Sequence, residues 1–252
     1  CEEMEEAVKQ YYESVKGLLD NIMKEQQEPI GKAAELVADA VQSGNVFHVF
    51  GSGGHSNMVA TEMCHRAGNL IPCNVILDPG LSCEHGATRW CEKVQGYAQN
   101  VLRYYKVKKG DVMLQFNAYG INTCSIDTVL ECKRLGVTVV AITSPKLSHS
   151  IPDDFAGRHP SRQNLCDLAD VVIDSYTPFG EAVVSLEGYN FKVSPTSTIA
   201  NIFIVDAINA KACEILAKRG IKPPVWISGN IPGGTESNQA GMDKYFGILR
   251  HL

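Results

Sequence analysis

The sequence predicts a three-layer α/β domain whose parallel sheet is covered by helices on both faces. Three observations predict it. Short β-branched apolar runs alternate with amphipathic segments of helical spacing along the chain, the pattern of parallel strands joined by crossover helices. The first run, 46–50, stops at Gly51-Ser52-Gly53-Gly54 and passes directly into a helical segment. Neither a linker nor an internal repeat divides the 252 residues, a length that suits one large α/β domain.

Taken in order, residues 2–28 read as a charged helix, with Val8, Tyr12, Val15, Leu19, Ile22 and Met23 at spacings of three and four. Pro29 is expected to end it. A second amphipathic helix follows over 31–43, closed by Gly44. Residues 1–44 thus form an N-terminal helical cap or dimerisation arm, read as one domain with 45–252. Strands are predicted at 46–50, 74–77, 111–116, 137–142 and 171–174, and 182–187 is a candidate for one more. Helices are expected over 91–105 and over 122–135, the latter ended by Gly136. A long loop, 143–164, carries His149 and His159, and a short helix ends near Leu168. Ser194-Pro195 reads as the N-cap and first residue of a helix running to 218. That helix is apolar almost all round and belongs in the core or in a subunit interface. A Pro/Gly-rich segment, 223–235, precedes a last short helix.

Composition narrows the function classes. Hydrophobic residues make up 44% and charged residues 20%, and the net charge is −5, which suits a globular protein with a real core. Without a basic face, nucleic acid is not expected as a partner. The nine cysteines are scattered, with no C-x-x-C, and neither a secretory signal nor a membrane-spanning run is visible. The expectation is a reduced, cytoplasmic protein with no membrane partner.

The strand, glycine loop and helix at 46–63 are arranged as an anion site. Glycines let the backbone turn tightly, and the helix N-terminus presents unpaired N–H groups with the positive end of its dipole. Ser52, Gly53, Gly54, His55 and Ser56 are the candidate contacts. The loop lacks the Lys of a P-loop and the third glycine of the dinucleotide fingerprint, although Asp78 stands near the place of a ribose-binding carboxylate. In a parallel sheet of this kind, ligands bind beyond the C-terminal strand ends. Two further loops fall there: Asn117, Tyr119, Gly120 and Asn122 after the third strand, and Thr196, Ser197 and Thr198 at the start of the apolar helix.

These loops carry a family resemblance. GSGGHS followed by Glu62, RAGNLIP (66–72), NAYGIN (117–122), RHPS (158–161), ADVVID (169–174), SPTSTIA (194–200) and PPVWISGNIPGG (223–234) together resemble the SIS (sugar isomerase) domain family. The likeness is to its stand-alone, phosphoheptose-isomerase-like members and covers most of residues 20–250. It implies a flavodoxin-like five-stranded parallel sheet, a sugar-phosphate ligand, often aldose–ketose isomerisation, and a homodimer or homotetramer with sites near subunit interfaces. Regulators and etherases also occur in the family, so the fold alone does not choose among them.

The sequence departs from the family pattern at two places. The family's second anion loop usually reads S-x-S-G, whereas here it is Asn117-Ala118-Tyr119-Gly120. A sulfonated or neutral sugar thereby becomes a candidate beside a phosphate. Zinc-binding members place a His four residues before the catalytic Glu, where this chain has Met58, a poor zinc ligand. No metal or cofactor is therefore expected.

The resemblance makes Glu62 the leading base for proton transfer between neighbouring carbons; otherwise it is a surface residue of an amphipathic helix. It lies ~9 Å along the helix axis from Ser56, about one sugar length beyond the anion loop. His85, beside Glu84, and His159 compete as the group that opens the sugar ring. His55 is a candidate sugar contact, and His48 reads as a core residue. Three functions follow: an isomerase, a non-catalytic sugar sensor, and a lyase or etherase.

Overall fold

Five apolar runs become strands, four of them buried along almost their whole length and the fifth buried at Ile173. They are β1 (Phe47–Gly51), β2 (Cys73–Ile76), β3 (Val112–Phe116), β4 (Thr138–Thr143) and β5 (Val171–Asp174). The computed structural model describes residues 2–252, with side chains from Glu6 onward. All four strand pairings are parallel, in the order β2-β1-β3-β4-β5. Two strands not foreseen as a pair, β6 (Ala182–Ser185) and β7 (Lys192–Pro195), form an antiparallel hairpin apart from the sheet. The helices are α1 (Glu2–Glu25), α2 (Gln27–Gln42), α3 (Met58–Met63), α4 (Thr88–Cys91), α5 (Tyr97–Tyr104), α6 (Thr123–Leu135), α7 (Pro145–Ser150), α8 (Leu165–Leu168), α9 (Ser197–Lys218) and α10 (Gly234–Tyr245).

Period-two alternation sorts the strand residues into two cores. Phe47, Val49, Leu114, Phe116, Val140 and Ile142 face α2, α3 and α9. Phe50, Met113, Val139 and Ala141 face α5 and α6. The expected three-layer α/β sandwich with a five-stranded parallel, flavodoxin-like sheet is therefore the observed one. A third, smaller cluster of Val46, Ile71, Trp226, Tyr245 and Leu249 closes the N-terminal ends of the strands. Helix α2 packs into the main core through Ala33, Ala34, Val37 and Ala38, so it is a layer of the sandwich. Helix α1 reaches the hairpin, where Tyr11 donates to the Pro195 carbonyl at 3.0 Å and Ser185 N–H donates to Gln10 Oε1 at 2.7 Å.

Three local expectations are corrected. Pro29 does not end a helix: it sits in the first turn of α2, where its missing N–H would have had no intrahelical partner. The helix expected over 91–105 is broken at Gly96, whose φ of +81° is left-handed and whose N–H donates to Asp127 at 2.9 Å. Ser194-Pro195 is not the cap of α9: both residues belong to β7, and the N-cap is Thr196.

Among the described residues no helix is long and apolar enough to cross a membrane. Eight cysteines, from Cys64 to Cys213, are free.

Gly51, at the end of β1, lies directly under the turn that follows it. A Cβ there would overlap the backbone of Ser56. Gly51→Ala is therefore expected to lower stability by about 3 kcal/mol, measured as a loss of urea midpoint without a change of slope.

Candidate functional site

The order of the sheet places β1 between β2 and β3, and chain direction reverses its progress at this point. Beyond the C-terminal ends of β1 and β3 lies a cavity of about 620 Å³, the position expected for a ligand in such a sheet. Its walls come from the glycine loop, the loop after β3, the turn after α4 and the first turn of α9. Ile121, Ile151, Phe155 and Phe179 supply apolar surface.

The loops are held together by a buried hydrogen-bond network centred on Ser52. Ser52 Oγ is 2.7 Å from Ser125 Oγ and accepts from Gln115 Nε2 at 3.3 Å. The Ser52 carbonyl accepts from Asn117 Nδ2 at 3.3 Å and Asn122 Nδ2 at 3.2 Å. Asn122 Oδ1 in turn caps α6 by accepting from Ser125 N–H at 2.7 Å, and Asn117 Oδ1 accepts from Gly120 N–H at 2.8 Å. The Asn117 side chain thus braces both loops.

This network corrects several expectations about the anion site. Ser52 is fully buried and does not line the cavity. The N–H groups of Ser52, Gly53 and Gly54 donate to Phe116 O, Gly51 O and Thr88 Oγ1, so none of them is free for a ligand in this conformation. Gly120 is a packing residue with a φ of +58°, where a Cβ would crowd Thr143 and Leu165. Thr196 is buried, with its hydroxyl unpartnered, and does not line the cavity. The structure does bring Gly53, Gly54, His55, Ser56, Asn117, Tyr119, Asn122, Ser197 and Thr198 to one cavity.

The three predicted catalytic side chains lie elsewhere. Glu62 does not line the cavity, and its Oε1 is 2.9 Å from Arg66 Nε. His85 is exposed on a short 3-10 turn, Cys83–His85, outside the lining residues. His159 is buried, with Nδ1 2.8 Å from Ser161 Oγ and Nε2 3.3 Å from Asp127 Oδ1, and both ring nitrogens are used in holding its loop. Asp78 is likewise engaged, accepting from Tyr97 OH at 2.7 Å and Gly80 N–H at 2.9 Å.

Two carboxylates that the sequence reading passed over face the cavity instead: Glu92 and Glu181. Glu92 lies against Gly53, where a Cβ would overlap its Oε2, and accepts from Asn122 Nδ2 at 3.3 Å. Burial pushes its carboxyl above the usual range, partly opposed by Lys93 and the Asn122 hydrogen bond. Glu181 accepts from Ser197 Oγ at 3.2 Å. Lys93 is the lysine among the lining residues. Asn201, buried in the first turns of α9, also lines the cavity, and its Oδ1 has no partner in the protein. A polar side chain among Ile199, Ala200, Ile202 and Phe203, in the apolar first turns of α9, was the signal that could have found Asn201. Nothing in the pattern around Glu92 marked it, because the helix break at Gly96 was not foreseen.

Metal ligands do not converge in the cavity. Among the described residues two groups bring three ligand atoms within 4.8 Å of one another: Cys64, His65 and His251, and His149, Cys166 and Asp167. Neither group contributes to the lining.

Comparison with known proteins agrees with this architecture. The chain is 32% identical over 240 residues to a UPF0309 protein of Geobacillus kaustophilus, covering 94% of each. It is 33% identical over 251 residues to a UPF0309 protein of Brucella anthropi, covering 99% of this chain and 100% of that one. In fold it resembles the phosphoheptose isomerase GmhA of Neisseria gonorrhoeae, with a TM-score of 0.54 at 15% identity over 84% of this chain and 99% of that one. The SIS domain pattern matches residues 10–144, more than half of the 252 residues, and the chain belongs to the SIS domain family.

Proposed function

We propose that this protein is a cytoplasmic aldose–ketose isomerase for an anionic sugar, and that Glu92 carries the proton between neighbouring carbons. The observation that supports this reading most is the Glu92 carboxyl, half-buried at the cavity wall and raised by that burial. A base poised above the ordinary carboxylate range is better matched to carbon acids at neutral pH. In the proposed reaction Glu92 removes the proton from C2 of the open-chain aldose and returns it to C1. The hydroxyl proton moves from O2 to O1, and an enediol lies between. His55, the imidazole among the lining residues, opens the ring in place of His85 and His159. Asn201 and Ser197 hold sugar hydroxyls.

Electrostatics favour a singly charged substrate. Glu92 and Glu181 share the cavity with Lys93, so a phosphate dianion meets more negative charge than it can pair with. A sulfonate carries one charge and asks for less. Sulfonated sugars are therefore proposed beside sugar phosphates, with Tyr119 occupying the place of a phosphate-binding serine. A homodimer or homotetramer is proposed as the working form, since α1 exposes Val8, Tyr12 and Met23; light scattering of the purified protein measures it.

A second reading has one observation in its favour. Glu62, the base that the family resemblance marks, is tied to Arg66 outside the cavity, which suits a sugar-binding protein without turnover. A thermal-shift screen of sugar phosphates, sulfonated sugars and neutral sugars, followed by an isomerase assay with whichever stabilises the protein, separates the two. Binding with no turnover of any such ligand defeats the isomerase reading.

Glu92→Gln is expected to lower kcat by ~10²–10⁴-fold while sparing binding, whereas Glu62→Gln retains turnover; the reverse ranking returns the base role to Glu62. The same Glu92→Gln variant also tests the buried charge. A carboxyl raised by burial binds its proton more tightly when folded, so wild-type stability falls as pH rises from the ordinary carboxylate range through the folded pKa. Glu92→Gln is therefore expected to melt higher than wild type at pH 7, with the difference vanishing in acid. Tyr119→Ser is expected to shift the ratio of phosphate to sulfonate affinity toward phosphate by about tenfold, the effect of one added hydrogen bond to a charged group, read by calorimetric titration.

A further inference from the structure

At the opposite end of the sheet from the cavity, three segments distant in sequence meet around two imidazoles and a thiol. Cys64 and His65 follow α3 directly. Segment 68–71 pairs with 224–226: Gly68 N–H donates to Trp226 O at 2.8 Å, Ile71 N–H to Pro224 O at 2.8 Å and Trp226 N–H to Asn69 O at 3.0 Å. This pairing sets Trp226 edge-on to the His65 ring, with centroids 4.9 Å apart. The chain after α10 returns to the same place, with Leu249 buried and Arg250 N–H donating to Asn74 Oδ1 at 3.3 Å. The His251 ring then lies 5.0 Å from that of His65.

We propose that Cys64 Sγ and the imidazoles of His65 and His251 bind a zinc ion that ties the segment after α10 to the end of α3. The three ligand atoms already lie within 4.8 Å of one another. In a tetrahedral site with Zn–N near 2.0–2.1 Å and Zn–S near 2.3 Å, ligand atoms stand roughly 3.3–3.8 Å apart, so the set closes by about 1 Å. His65 is exposed and free to make that movement.

One observation beyond the spacing of the set points to a ligand here. His251 Nδ1 is buried and has no hydrogen-bond partner in the protein, a state that costs stability unless something binds it. His65 holds a φ of +51°, the left-handed region that a non-glycine residue adopts at a cost of about 1–2 kcal/mol. Two nitrogens and one sulfur suit zinc among the divalent ions, with the fourth position left to water. The second cluster, His149 with Asp167 and Cys166, lacks these features: His149 Nε2 is already paired with Asp167 Oδ1 at 3.0 Å.

The test uses the whole chain, stripped with chelator, and Co²⁺ as a spectroscopic probe that Zn²⁺ displaces. The expected result is one Co²⁺ per chain with a thiolate-to-cobalt charge-transfer band. Cys64→Ser abolishes the band, and His65→Ala and His251→Ala each weaken affinity by at least ~10-fold. His149→Ala, at the second cluster, leaves both unchanged. Because the His65 side chain is exposed, His65→Ala carries the test alone where His251→Ala does not fold. Absence of Co²⁺ binding at micromolar ion, a charge-transfer band that persists in Cys64→Ser, or undiminished affinity in His65→Ala overturns the proposal.

Discussion

The structure depends on a polar knot buried where β1, β3 and α6 converge. Ser52, Gln115, Asn117, Asn122 and Ser125 hydrogen-bond there, and two strand ends, a helix cap and a tight loop are fixed together as a result. A hydrogen-bond network in a low-dielectric setting rigidifies when its members are paired and is costly when one is missing. Here one acceptor, Gln115 Oε1, has no partner, while the donors of the knot are spoken for. The consequence is a cavity whose floor is preorganised: the backbone around the glycines is occupied with holding its own shape, and recognition passes to the side chains above it.

That division changes how the glycine loop is understood. In an anion loop the N–H groups face the ligand. In this chain those of Ser52, Gly53 and Gly54 face the protein, and a carboxylate from Glu92 rests against Gly53. The glycines serve close approach: Gly51 admits the following turn and Gly53 admits a neighbouring carboxylate. The charge at the cavity wall comes from Glu92, Lys93 and Glu181, two of which belong to a short turn and one to the loop leading into the hairpin.

The fold was legible because alternation and length are local properties. The five strands were read to within about a residue at each end, and the parallel sheet followed from their spacing along the chain. The cavity was legible as three loops, since chain direction alone places them at one end of the sheet. Individual roles were not. Ser52 and Ser56 look alike in sequence, yet Ser52 points into the knot and Ser56 into the cavity. His159 carries a catalytic residue type but is consumed by Asp127 and Ser161, partners 32 and 2 positions away. The Cys64, His65 and His251 cluster spans nearly 190 residues, a separation at which only the folded chain reveals proximity. Pro29 was misread because a residue that stops a helix is also a good helix-starting one, and the left-handed Gly96, where the helix expected over 91–105 breaks, was passed over.

Glu92 and Lys93 have one further implication. They sit between α4 and α5, on a turn that contributes no strand to the sheet; Glu92 is bonded to the knot through Asn122, and its carbonyl accepts from Cys124 N–H of α6. The strands and the charge of Lys93 are therefore carried by different parts of the chain. A lineage built on this scaffold can alter the cavity's charge at Lys93 while the knot beneath keeps the cavity's shape. Diversification of this kind proceeds in small steps, because a change in selectivity need not pass through a poorly folded intermediate.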